Sequence, residues 1–252
     1  MPTVSRKPRK RAGRVVLISL GVLLLALALA FFAYTQDYYH ADATAAALTK
    51  DNANIRQEGN LTVLTPDSSN DTGAGLIFYP GGKVEETAYL PLLEQLRQGW
   101  LTCVLVKMPF RLAVFDIRAA DAVYAQFPAI SHWYLAGHSL GGAMASSYVA
   151  GNEGKLAGLI LLGAYPVNDS PIPTLAIYGS EDVKLDRSKL TAVAGKLELA
   201  GGNHAYFGNY GEQAGDGTAT ISREAQQAQA VSAILAFVQN TPSLRDSITQ
   251  PR

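Results

Sequence analysis

The sequence predicts a three-layer α/β fold: a mostly parallel sheet with helices on both faces, preceded by one membrane-spanning helix. Three observations predict it. Short, continuous apolar runs recur along the chain and are separated by segments of helical periodicity, as in strands buried on both faces. Residues 15–34 read VVLISLGVLLLALALAFFAY, twenty residues without a charge. The apolar run WYLAG leads directly into HSLGG and then into small residues, which is the pattern of a strand turning sharply into a closely packed helix.

The chain opens on a basic tail, residues 1–14, with Arg6, Lys7, Arg9, Lys10, Arg11 and Arg14 and no acid among them. The twenty-residue apolar run that follows covers roughly 30 Å as a helix, the thickness of a bilayer core. Positive charge before it, with Asp37 and Asp42 after it, predicts a cytoplasmic N-terminus and an extracytoplasmic body. The competing reading is a signal peptide cleaved after Ala28-Leu29-Ala30, which would leave a secreted body. The anchor reading predicts the membrane as a partner. Beyond the tail, fifteen basic side chains face 21 acidic ones. A mildly acidic body lacks the basic face that phosphate binding needs, so nucleic acid is not expected as a partner.

Residues 35–58 are polar and Ala-rich and are expected to form a stalk. The globular body is expected over residues 59–241, with a C-terminal tail at 242–252. At 252 residues, 48% of them hydrophobic, the chain is long enough for one sizeable core. Expected strands are Leu61–Leu64, Gly75–Tyr79, Thr102–Lys107, Trp133–Gly137, Gly158–Gly163, Thr174–Tyr178 and Lys196–Leu199. Expected helices are Glu86–Gln98, Ile117–Phe127, Leu140–Asn152, Arg187–Ala194 and Ser222–Gln239, the last with Ser222 as its cap. The turn-rich TPDSSNDTGA between the first two strands is equally compatible with an antiparallel hairpin. The single cysteine, Cys103, rules out an internal disulfide and reads as a buried strand residue.

Gly137-x-Ser139-x-Gly141 between a strand and a helix of small residues fits a nucleophile elbow. There the serine occupies a strained turn, and the next amide, that of Leu140, lies beside it as an oxyanion donor. A lone serine hydroxyl needs a base held by an acid, in the chain order Ser, then Asp or Glu, then His. The strand LAIYGS ends in Glu181-Asp182, 43 residues beyond Ser139, and KLELAGGNH brings His204 a further 22 residues on. Both follow strand carboxyl ends, where open α/β sheets place their sites. Asp182 is the expected carboxylate, with Glu181 and Asp186 as alternatives. His138 adjoins the serine but projects differently around the turn, so it is expected beside the substrate pocket. The loop PGGKV is expected to supply a second oxyanion donor, from Gly82 or Lys83. No histidine pair has ligand spacing, so no metal is expected, and with neither G-x-G-x-x-G nor a Walker pattern in the chain no cofactor is expected.

GHSLGG, the GSED turn and GGNH together resemble the α/β-hydrolase superfamily. YPGGKV and GGNHAYFGNYGEQAGDGTA resemble, more narrowly, bacterial α/β-hydrolase family 5 proteins, relatives of the dienelactone hydrolases. The resemblance spans about residues 60–240 and implies the three-layer α/β-hydrolase fold, with Ser139, Asp182 and His204 as triad. Dienelactone hydrolases use a cysteine nucleophile where this chain has serine. Many members carry a helical cap after the strand that follows the nucleophile helix. Only AYPVNDSPIP stands there, so no cap domain is expected and the site should be open. Tyr206, Phe207 and Tyr210 are expected to border it. The reading is a serine hydrolase, carboxylesterase-like, acting on a small-molecule acyl substrate. A thioesterase, a deacetylase of envelope sugars, and a non-catalytic binding domain on the same fold are the alternatives.

Overall fold

The computed structural model describes residues 9–50, 52–67 and 72–242. Most of the basic tail and nearly all of the C-terminal tail lie outside them. The chain forms two compact units, one ending at Tyr38 and one beginning at Tyr39. The first is helix α1 (Arg9–Gln36), of which Gly13–Gln36 is long and apolar enough to cross a membrane.

The second unit is built on eight strands: β1 (Ile55–Glu58), β2 (Leu61–Leu64), β3 (Ala74–Tyr79), β4 (Thr102–Val106), β5 (His132–His138), β6 (Gly158–Leu162), β7 (Thr174–Gly179) and β8 (Gly195–Leu199). Their order in the sheet is β1-β2-β4-β3-β5-β6-β7-β8. The β1–β2 and β2–β4 pairs are antiparallel and all others are parallel. Alternate side chains of the buried strands enter two different cores. Leu76, Phe78, Leu105 and Ala136 pack with α3 (Leu90–Gln98) and α6 (Arg223–Asn240) on one face. Ile77, Tyr79, Val104 and Leu135 pack with α4 (Ala120–Gln126) and α5 (Leu140–Val149) on the other. The expected three layers are therefore present.

This order places a topological switch at β3 and β5. The chain leaves β3 for β4 on one side and leaves β5 for β6 on the other. The loops after the two strands leave from neighbouring ends, where Tyr79 pairs with Gly137, the place at which open α/β sheets put their sites. Residues 163–173 join β6 to β7 without a helix, so no cap domain is inserted at that connection.

Several elements differ from the sequence expectation. β2 and β3 form no hairpin, because β2 pairs instead with β1 and β4. β1 carries no apolar signature, since Arg56, Gln57 and Glu58 are exposed, and the sequence placed it in the stalk. Much of that stalk belongs to the body. Ala45 of α2 (Ala43–Leu48) is fully buried, Tyr39 and Leu48 pack against the core, and Asp42 caps α2. The helix expected at Arg187–Ala194 is only a short turn, Arg187–Leu190. Its few buried side chains, Leu190 and Val193, cannot support further turns.

Tyr39 N–H donates to Lys83 O at 2.8 Å, and Glu85 N–H donates to Tyr39 O at 2.8 Å. Asp42 accepts from the Asn209 side chain at 3.0 Å. A body beginning at Gln36 keeps these bonds and is expected to melt in one transition. A body beginning at Asn52 loses them and is expected to melt roughly 5 °C lower or more. Calorimetry of the two checks whether residues 39–48 are structural or only a tether.

Candidate active site

Ser139 stands between the end of β5 and the start of α5. Its backbone lies at φ 52°, ψ −120°, a left-handed conformation that a non-glycine residue holds only when its surroundings enforce it. The enforcement is packing. A Cβ at Gly141 would collide with the backbone carbonyls of Tyr79 and Pro80, so only glycine lets α5 approach the end of β3 this closely. The Ser139 N–H is held by Leu162 O at 3.0 Å, which ties the turn to β6.

Asp182 and His204 follow β7 and β8 and are almost fully buried. His204 Nδ1 lies 2.8 Å from Asp182 Oδ2. Asp182 Oδ1 accepts from the amides of Lys184 and Leu185 at 2.9 and 3.0 Å, so the carboxylate is fixed on both oxygens. The two alternative acids are engaged elsewhere. Glu181 accepts from the Ser180 hydroxyl, and exposed Asp186 caps the short turn at Ser188.

Ser139 and His204 line one cleft of about 320 Å3, together with Leu140, Ala143, Ala164, Tyr165, Lys184 and Leu185. A somewhat larger cleft, of about 380 Å3, lies between residues 166–174 and Ala192–Ala194 but contains no histidine. The aromatic border expected from sequence is not what lines the Ser139 cleft. Phe207 is fully buried in the core, Tyr210 packs beside Tyr39 and Tyr89, and the Tyr206 hydroxyl donates to Glu212. His138 is also fully buried and takes no part in the lining. Tyr165, which the sequence reading passed over, stands there instead.

The two amides considered for the second oxyanion donor differ. Lys83 N–H already donates to Arg111 O at 2.9 Å. Among the described residues, the N–H groups of Gly82 and Leu140 have no protein acceptor. Gly82 and Leu140 are adjacent, since a Cβ at Gly82 would meet the Leu140 side chain at 2.9 Å.

The loop carrying His204 is fastened by groups that sequence reasoning missed. Gln226, fully buried on α6, accepts from Asn203 N–H at 2.9 Å and donates to Asn203 O at 2.8 Å. Asp216 accepts from Ala205 N–H at 2.9 Å, and burial raises its carboxyl above the ordinary range. Asp216 lies inside the GGNHAYFGNYGEQAGDGTA stretch without any sign of this role, and no motif marks Gln226. Only the helical position of Gln226 opposite the GGNH turn could have suggested it.

A family model described as the alpha/beta hydrolase family matches residues 75–228. A comparison with curated proteins finds no match. Among solved structures, an esterase from Pyrobaculum calidifontis is 14% identical with a TM-score of 0.56, covering 78% of this chain and 89% of its own. Est1E from Butyrivibrio proteoclasticus is 14% identical with a TM-score of 0.52, covering 74% and 98%. A serine hydrolase without lid from Xanthomonas campestris is 16% identical with a TM-score of 0.52, covering 72% and 89%. At these identities the structures share the fold. With the family model spanning most of the body, including the Ser139 elbow and the loops of Asp182 and His204, the chain belongs to the alpha/beta hydrolase family.

Proposed function

We propose that the chain is a serine hydrolase that cleaves an ester-type acyl bond through Ser139, His204 and Asp182. The observation that carries this reading is the shared cleft: a strained Ser139 and a His204 backed by a buried carboxylate open onto the same space. In this mechanism Ser139 Oγ attacks the substrate carbonyl while His204 takes its proton on Nε2. Asp182 accepts from Nδ1–H and stabilises the imidazolium that forms. The amides of Leu140 and Gly82 hold the oxyanion, which fits their lack of protein acceptors. Collapse of the tetrahedral intermediate expels the alcohol, protonated by His204, and leaves an acyl-enzyme. Water, deprotonated by His204, then releases the acid and restores Ser139.

The uncapped end of the sheet suits a site open to small acyl substrates. α1 is read as an anchor that leaves the body outside the cytoplasm, or as a cleaved leader that releases it. A panel of p-nitrophenyl esters and acyl thioesters of increasing chain length tests the reading. Saturable turnover of oxygen esters is expected. Preferred turnover of thioesters would make the chain a thioesterase. No turnover of any acyl donor by folded protein would favour a binding domain on the hydrolase fold.

A further inference from the structure

Two fully buried residues connect the loop after β3 to the backbone of His204. Gly81 N–H donates to Tyr89 Oη at 3.0 Å. Tyr89 Oη lies 2.8 Å from His138 Nδ1, and His138 Nε2 lies 3.0 Å from His204 O. A carbonyl can only accept, so His138 Nε2 carries the proton and its Nδ1 accepts from the Tyr89 hydroxyl. Each donor in the series therefore points the same way, from the glycine loop toward His204. Burial, and then the neighbouring His204, hold the His138 imidazole well below its ordinary pKa, so it stays neutral and the series keeps its direction. The space is filled. The rings of His138 and His204 lie 4.6 Å apart, and a Cβ at Gly81 would sit 2.7 Å from both His138 Nδ1 and Tyr89 Oη.

Resting on the serine-hydrolase reading, we infer that Tyr89 and His138 are positioning residues that lock the oxyanion loop and the base His204 into one rigid unit. The Gly81 bond fixes the peptide immediately before the one whose N–H belongs to Gly82. The His204 bond fixes the main chain that carries the imidazole. A transition state is held by both at once, so their mutual placement matters more to turnover than to the binding of uncharged substrate. Neither residue touches substrate, because neither lines the cleft.

The test uses full-length protein and four chains: wild type, Tyr89→Phe, His138→Leu and His138→Gln. Tyr89→Phe keeps the ring and removes only the hydroxyl. His138→Gln can still accept from Tyr89 and donate to His204 O, whereas His138→Leu can do neither. For Tyr89→Phe and His138→Leu we expect kcat to fall by on the order of 10 to 10² with KM within about twofold. The affinity of a trifluoromethyl ketone, which forms a tetrahedral adduct with the serine, should fall in parallel, and His138→Gln should recover part of both losses. Folded Tyr89→Phe or His138→Leu with wild-type kcat and ketone affinity would overturn the inference, as would equal losses in His138→Gln and His138→Leu. If one variant fails to fold, the remaining folded variants decide by the same comparison. Wild-type turnover separates the two claims. Its absence counts against the hydrolase reading, whereas wild-type turnover that the variants share counts against the coupling alone.

Discussion

Ser139→Ala is expected to reduce ester turnover by on the order of 10³ to 10⁶ in kcat while leaving the fold unchanged. The substitution removes one hydroxyl from a turn whose geometry is set by its neighbours. Gly141 is pressed against the end of β3, and the Ser139 amide is held by Leu162. Alanine at φ 52° is as strained as serine, so the elbow has no new reason to relax. The leftover oxyanion amides and cleft would still bind substrate, so KM should change little. A melting temperature within a few degrees of wild type, measured beside kcat, separates lost chemistry from lost structure.

Asp182→Asn is expected to cost roughly 10⁴ in rate. The reason lies in how the carboxylate is held. Oδ1 accepts from two amides, those of Lys184 and Leu185, and this end keeps its oxygen on substitution. The amide nitrogen of asparagine must then face His204 Nδ1, where it donates a proton instead of accepting one. Nδ1 becomes an acceptor, the ring proton moves to Nε2, and the face toward Ser139 can no longer take a proton. Geometry survives while the tautomer is wrong. Glu181→Gln and Asp186→Asn are expected to stay within about twofold of wild type, because Glu181 bonds Ser180 and Asp186 only caps an exposed turn. Comparing kcat/KM for the three variants at matched melting temperature checks the assignment. Equal losses in all three would mean that general loop charge, and not one acid, supports the base.

What the sequence revealed follows from which interactions are local. Fully buried parallel strands must be apolar on both faces, so β3 to β7 stood out as runs such as GLIFY and GLILL. The elbow is local too, because the glycines around Ser139 answer contacts within one turn and its neighbouring strand. Asp182 and His204 were legible through a topological rule that places them after strand ends. β1 was not legible, because an exposed edge strand needs no apolar signature, and the packing of residues 39–48 depends on loops far along the chain. That the Lys83 N–H is engaged by Arg111 O, whereas Lys83 and Gly82 look alike in sequence, is a long-range contact that no motif announces. Phe207 shows the reverse failure: an aromatic close in sequence to His204 is consistent with a pocket wall or a core residue, and here it is core. The Tyr89–His138 series was hidden for the same reason as Arg111, since it joins residues 49 and 66 positions apart in sequence.

The most direct test of the serine mechanism is to treat the folded protein with a fluorophosphonate and locate the adduct by peptide mass spectrometry. A nucleophile activated by His204 and poised before an oxyanion site should react in this way, as an unactivated surface serine does not. A single phosphonylated residue, Ser139, is expected, with turnover lost in proportion to labelling. An adduct on another residue, or folded protein that turns over esters without labelling, would contradict it.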